Sequence, residues 1–87
     1  MDKETKQEII KKYQRSANDV GSVEVQVAIL TQRITELTEH MKIHKKDNST
    51  KRGLVAMVNH RRRLLAYLQK EDFQRYSNLI KKLGLRH

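Results

Sequence analysis

His40 and His44 lie four residues apart in a stretch of helical periodicity, and Asp47 follows three residues later. Two imidazoles one helical turn apart with a carboxylate just beyond is the spacing of a two-histidine metal site. The surroundings argue against a cation: no glutamate lies between the histidines, no third histidine follows, and Lys42, Lys45 and Lys46 add positive charge. Two other roles suit the same residues. Imidazoles at a helix end can hydrogen-bond its last carbonyls, and imidazoles facing a polyanion can donate to sugar and base-edge acceptors. The chain has no cysteine, which removes disulfides and thiolate metal sites. It also has no glycine-rich phosphate loop, no nucleophile with a paired base, and no carboxylates spaced for general acid and base work. An enzyme is therefore not expected, and neither is a cofactor or a bound metal.

Charge gives the broader direction. From His40 to Arg63 there are eight Lys/Arg residues against one acid, and the residues after His40 carry a net +10 while those up to His40 carry −1. So one-sided a surface suits a polyanion, because neutralising phosphates releases their counterions. Arg61, Arg62 and Arg63 step about 100° per residue and must point to different sides of a helix. Arg61 falls on the seam with Leu54, Met57, Val58, Leu64 and Leu65, where a side chain snorkelling from the core edge is the expected role. Arg62 and Arg63 are candidates for phosphate contacts, since guanidinium forks suit bidentate acceptors. Tyr67, one turn after Arg63, lies off the Leu64, Leu65 and Leu68 stripe, so it is either core padding or a stacking platform for a base or ribose. Gln26 sits off the apolar face of its helix, and its context alone makes it an ordinary surface glutamine.

The elements that must carry these residues are helices. The chain contains no proline and only three glycines, so breakers are sparse. The predicted fold class is all-α: four helices, the last three forming a small antiparallel bundle with a less firmly docked N-terminal helix. The first runs from about Lys3 to Arg15, with Ile9, Ile10 and Tyr13 on a short apolar side, and residues 16–22 form a loop ending at Ser22, an N-cap with Glu24 in the first turn. Val23, Val27, Leu30, Ile34, Leu37 and Met41 then recur at 4, 3, 4, 3, 4 along one face of a second helix reaching about Lys45. A third begins near Thr50, capped by Ser49 or Thr50, turns Leu54, Met57, Val58, Leu64, Leu65 and Leu68 inward, and ends near Lys70. Gly53 early in that helix suggests close approach of another backbone or a ligand. Asp72 caps a fourth helix with Tyr76, Leu79, Ile80 and Leu83, which stops at Gly84, with Leu85 folding back on Ile80. Eighty-seven residues with 37% hydrophobic and 33% charged content make a single small domain over residues 1–87. The start lacks the apolar run of a signal peptide and no stretch approaches a membrane span, so a soluble, intracellular protein without a membrane partner is expected.

The segments GSVEVQVAILTQRI, HKKDNSTKRGL, RRRLLAYLQKED and LIKKLGLR, in this order and spanning nearly the whole chain, resemble the bacterial fifteenth protein of the small ribosomal subunit. The resemblance implies a cytoplasmic, ribosome-bound four-helix protein that binds small-subunit rRNA directly and early in platform assembly. It further implies neighbouring platform proteins, a contact with large-subunit rRNA and, in some relatives, binding to the protein's own messenger. Family members recognise a three-way RNA junction through the loop before the second helix and the middle of the third. The matching positions are Gly21, Ser22, Gln26, Arg63 and Tyr67, with Lys70 where some relatives have arginine. A second RNA feature, a minor groove at a G·U and G·C step, is approached by the hinge, at His40, His44, Asp47 and Thr50. Lys45, Lys46, Arg52 and Arg62 would anchor phosphates around these positions. The chain departs from the family pattern at Val20 and Val23, where threonine is usual, at Thr50, where serine is common, and at Asn48, often histidine. The alternatives left by the residues themselves are a DNA-binding architectural or regulatory protein, with the third helix reading DNA, and a metal-dependent hydrolase built on His40, His44 and Asp47.

Overall fold

The computed structural model describes residues 3–13 and 22–85. They form four helices: α1 (Lys3–Tyr13), α2 (Val23–Ile43), α3 (Asn48–Glu71) and α4 (Phe73–Leu83). The expected end of the first helix at Arg15, and most of the 16–22 loop with Val20 and Gly21, lie outside the described residues.

Capping chemistry sets most of the helix ends. Ser22 accepts from the Val25 N–H at 3.3 Å and opens α2, as expected from its type and position. α2 ends at Ile43, two residues short of Lys45, because His44 leaves helical geometry at φ −113° and ψ 65°. Its carbonyl then accepts from the Asp47 N–H at 3.1 Å, which reverses the chain. The start of α3 also corrects an expectation. Asp47, rather than Ser49 or Thr50, is the cap: its carboxylate accepts from the Thr50 N–H at 3.1 Å, and the helix starts at Asn48. Aspartate outcompetes the later hydroxyls since its charged oxygen complements the helix N-terminus and satisfies an otherwise orphaned donor. Asp72 caps α4 in the same manner, accepting from the Arg75 N–H at 3.2 Å. At the other end Gly84 takes the left-handed conformation at φ 69° that a side chain would resist. Leu85 N–H reaches Ile80 O at 3.0 Å and Gly84 N–H reaches Lys81 O at 3.2 Å, the paired bonds of a Schellman motif.

Packing is concentrated at one end. Val27, Leu68, Tyr76, Leu79 and Ile80 form the buried cluster, with Tyr13, Val23, Leu64, Leu65, Leu83 and Leu85 packed around it. Val27 belongs to the predicted α2 stripe, but Val25 and Ala28 are also buried, on a different face. The reason is a second neighbour: α2 packs against both α1 and α3. α1 itself buries none of its residues. Lys82 bonds the Lys12 carbonyl and sits 4.6 Å from the centroid of the Tyr13 ring, joining the end of α1 to α4. Beyond Leu30, α2 has no buried residue, and neither has α3 before Leu68. Those stretches form a two-helix arm, with the polar hinge at its tip. Gly53 lies on that arm, and among the described residues nothing beyond its own helix backbone and chain neighbours comes within 4 Å of where a Cβ would stand, so none of them makes the close approach its presence suggested.

Candidate nucleic-acid interface

The hinge is organised by one carboxylate. Asp47 Oδ1 receives the Thr50 N–H at 3.1 Å, while Oδ2 receives the Thr50 hydroxyl at 2.6 Å and the His40 Nε2–H at 3.0 Å. The last bond fixes His40 as the Nε2–H tautomer or as imidazolium. The Thr50 hydroxyl, the Thr50 amide and then His40 hold the Asp47 carboxyl down at about 2. It is therefore an anion at any physiological pH. The His40 and His44 rings stack at 4.5 Å between centroids and 30° between planes. Among the described residues no group of three or more His, Asp or Glu side chains is placed to hold a metal ion. The hinge thus brings these groups together: His40, Asp47 and Thr50 are bonded to one another and His44 stacks on the His40 ring. Asp47 keeps 34% of its side chain exposed and His40 40%, so the cluster presents polar atoms outward. Lys45, Lys46 and Arg52 stand exposed beside it.

The other predicted residues lie toward the opposite end of α3. Arg63, Tyr67 and Lys70 are all exposed, Tyr67 to 57%. At about 100° per residue they fall within an arc of roughly 60°, one stripe of the helix. His60, also exposed, falls on the same stripe. The sequence signal for it is a spacing of three to Arg63 and seven to Tyr67, masked there by the run of arginines that follows it. Ser22 and Gln26 open α2, and the Gln26 N–H bonds the Ser22 carbonyl at 3.0 Å. The antiparallel register, marked by Arg61 against Thr31 and by Val27 and Leu68 in one cluster, sets this first turn of α2 level with the Tyr67 end of α3. Between Asp47 and Arg63 the helix rises about 24 Å, so the hinge and the stripe are distinct surfaces.

The three consecutive arginines make different contacts. Arg61 Nη1 donates to Thr31 Oγ1 at 3.3 Å, half-buried at the α2–α3 seam, and burial lowers its pKa from the usual value. That matches the snorkelling role expected for it. Arg63 turns to the Tyr67 stripe, its Nε donating to the Asn59 carbonyl at 3.5 Å, whereas Arg62 lines, with Arg61, a groove on another side of α3.

One positioning contact had no sequence signal. Arg75 of α4 grips Glu24 of α2 with two donors, Nε to Oε2 at 2.7 Å and Nη2 to Oε1, across 51 residues of sequence. The pair is largely shielded, with 12% of the Glu24 side chain and 30% of the Arg75 side chain exposed. It pins the turn that carries Ser22 and Gln26.

Fold and surface together define a small, basic protein of four helices with polar and cationic clusters at both ends of α3. Residues 6–86 match the family model described as Ribosomal protein S15. A small ribosomal subunit protein uS15 of Carboxydothermus hydrogenoformans is 59% identical over 83 residues, covering 95% of this chain and 93% of the relative. The proteins of the same name from Lactiplantibacillus plantarum and Dictyoglomus thermophilum are 58% and 56% identical over 84 residues, each covering 97% of this chain and 94% of the relative. The chain belongs to the ribosomal protein S15 family.

Proposed function

We propose that this protein acts as an rRNA-binding scaffold with two recognition surfaces on one helix pair. As a member of its family it is a structural constituent of the small ribosomal subunit in the cytoplasm and works by binding rather than catalysis. The observation that carries the finer reading is the separation of the His40–Asp47–Thr50 cluster from the Arg63–Tyr67–Lys70 stripe along α3. A wide, shallow RNA minor groove displays 2′-hydroxyls and base edges, which short polar groups such as those of Asp47, Thr50 and His40 can read. Lys45, Lys46 and Arg52 would hold flanking phosphates, giving position without sequence information. At the other end, Tyr67 offers a ring for stacking beside Arg63 and Lys70, with Ser22 and Gln26 level with them, as a junction with splayed bases requires. Gly21, outside the described residues, joins this proposal through the family resemblance alone. Two contacts fixed on one rigid helix pair would set the angle between RNA helices, and so order the platform of the subunit. A contact with large-subunit rRNA, neighbouring platform proteins and binding to the protein's own messenger complete the proposal through the family resemblance.

The DNA-reading alternative finds less support. α2 and α3 pack side by side and antiparallel from Thr31–Arg61 to His40–Asp47, whereas helix-turn-helix units cross at steep angles so that one helix can enter the major groove.

Filter binding to a junction-containing small-subunit rRNA fragment tests the scaffold role; affinity no better than for random duplex RNA would sink it. Asp47→Ser separates capping from reading, since serine still caps α3 but cannot reach both His40 and a groove. The expected result is about a tenfold loss on the fragment with little change on nonspecific RNA.

A further inference from the structure

The α3 face beyond Arg62 carries a groove of about 500 Å³ that neither proposed surface uses. Val58, Leu65, Tyr76 and Leu85 supply its apolar wall, Ala66 lies between, and Arg61, Arg62 and Gln69 bring polar groups to it. No acidic residue lines it. The wall is preorganised, since the Schellman bonds from Leu85 and Gly84 hold Leu85 in place. Arg61 is preorganised too, with one nitrogen bonded to Thr31 and its other guanidinium donors available to a bidentate acceptor.

These parts match a ligand with one anionic end and one flat, largely apolar body with polar edges. A nucleotide has that form, and the groove falls within the size range of small-molecule sites, about 300–1,000 Å³. Arg62 and Gln69 are seven residues apart on one stripe of α3, a rise of about 10 Å, comparable to the reach from a phosphate to the far edge of its base. The Gln69 amide offers both a donor and an acceptor to such an edge. Ala66 at the rim of the groove stands one turn before Lys70 of the stripe and about 40° round α3 from it, so an RNA strand held on the stripe can pass over Ala66 and deliver a nucleotide to the groove without a second macromolecule. An acidic peptide would satisfy the arginines but would be a separate partner, brought by nothing else on this surface.

We propose that this groove receives one unpaired nucleotide of the bound RNA, with its phosphate on Arg61 and Arg62, its base against Val58, Leu65 and Leu85, and the base edge toward Gln69. The site presupposes the RNA-binding role proposed above. The test is methyl NMR on the full chain, titrated separately with triuridylate, triadenylate, inorganic phosphate and a peptide of alternating glutamate and leucine. A trinucleotide should produce saturable shifts at the Val58, Leu65 and Leu85 methyls that phosphate at equal concentration does not. Ala66→Glu, at an exposed helical position where glutamate is a good helix former, should weaken that binding about tenfold through a like charge beside the phosphate. Ala66→Gln, which adds the same bulk without the charge, should weaken it several-fold less than Ala66→Glu.

Silent methyls, equal affinities for the two variants, equal shifts from phosphate alone, or shifts from the peptide only would each overturn the groove site. Binding of the unaltered chain to the junction fragment is measured in parallel. Tight fragment binding with silent groove methyls defeats the groove alone, whereas a filled groove without fragment affinity supports the groove and defeats the scaffold role.

Discussion

At one end of the α2–α3 pair the chain is held by side chains that meet across long stretches of sequence; at the other it is held by hydrogen bonds among near neighbours. The packed end gathers Val27, Leu68, Tyr76, Leu79 and Ile80 from three helices, with the Glu24–Arg75 pair beside them. The hinge end buries nothing and takes its shape from Asp47 acting on His40 and Thr50. The difference teaches how one small protein can hold two polar surfaces of separate origin, the two proposed for RNA recognition. The stripe of Arg63, Tyr67 and Lys70 inherits its position from the core, while the hinge is a local device that depends on one carboxylate.

The largest effect should come from breaking the packed end. Leu68, 1% exposed, is a fully buried anchor of the cluster, so Leu68→Ala should cost about 2–5 kcal/mol in thermal or denaturant unfolding and remove both surfaces together. Glu24→Gln is a finer tool on the same end. Breaking a largely shielded, two-donor ion pair should cost about 1–2 kcal/mol. Amide shifts around Ser22 and Gln26 should move while those of Thr50 stay, which would show that the two ends are set independently.

On the arm the sign reverses. Gly53→Ala meets open space, so it should stabilise the free protein by about 1 kcal/mol through helix propensity. If RNA meets the bare backbone there, affinity for the junction fragment should nevertheless fall; unchanged affinity would remove RNA from the Gly53 surface. The smallest effect is a local response to acid. The folded Asp47 pKa of about 2 lies below its ordinary 3.8, so the hinge gains stability from the ionised carboxylate above about pH 4 and loses it progressively as pH falls toward 2. Thr50 and Asn48 amide shifts should titrate in that window ahead of any change at Leu68.

The sequence was informative wherever structure is local. Ser22, Asp72 and Gly84 carry out the end-capping their types suggest, and the 4, 3, 4 spacing placed Val27 and Leu30 in the core. His40, His44 and Asp47 stood out as one group by spacing because they lie within two turns of chain, whereas Thr50 joined them only through the family resemblance. The start of α3 was less legible, since Asp47, Ser49 and Thr50 are all good caps and periodicity does not rank them. Val25 escaped notice because its burial depends on a second packing face of α2, which a single stripe does not record. The Glu24–Arg75 pair is a product of tertiary folding alone. Arg61, Arg62 and Arg63 show both sides: helical geometry separated them, but only the fold assigned Arg62 to a groove with Tyr76 and Leu85.

The central claim is that the hinge and the α3 stripe contact different parts of one RNA. It is tested most directly by nucleotide-resolution footprinting of the junction-containing fragment with the unaltered chain, Asp47→Ser and Tyr67→Ala. Two separated protections are predicted, with the first variant losing one and the second losing the other. Loss of the same protection in both variants, or a footprint no different from that on plain duplex RNA, would contradict the account.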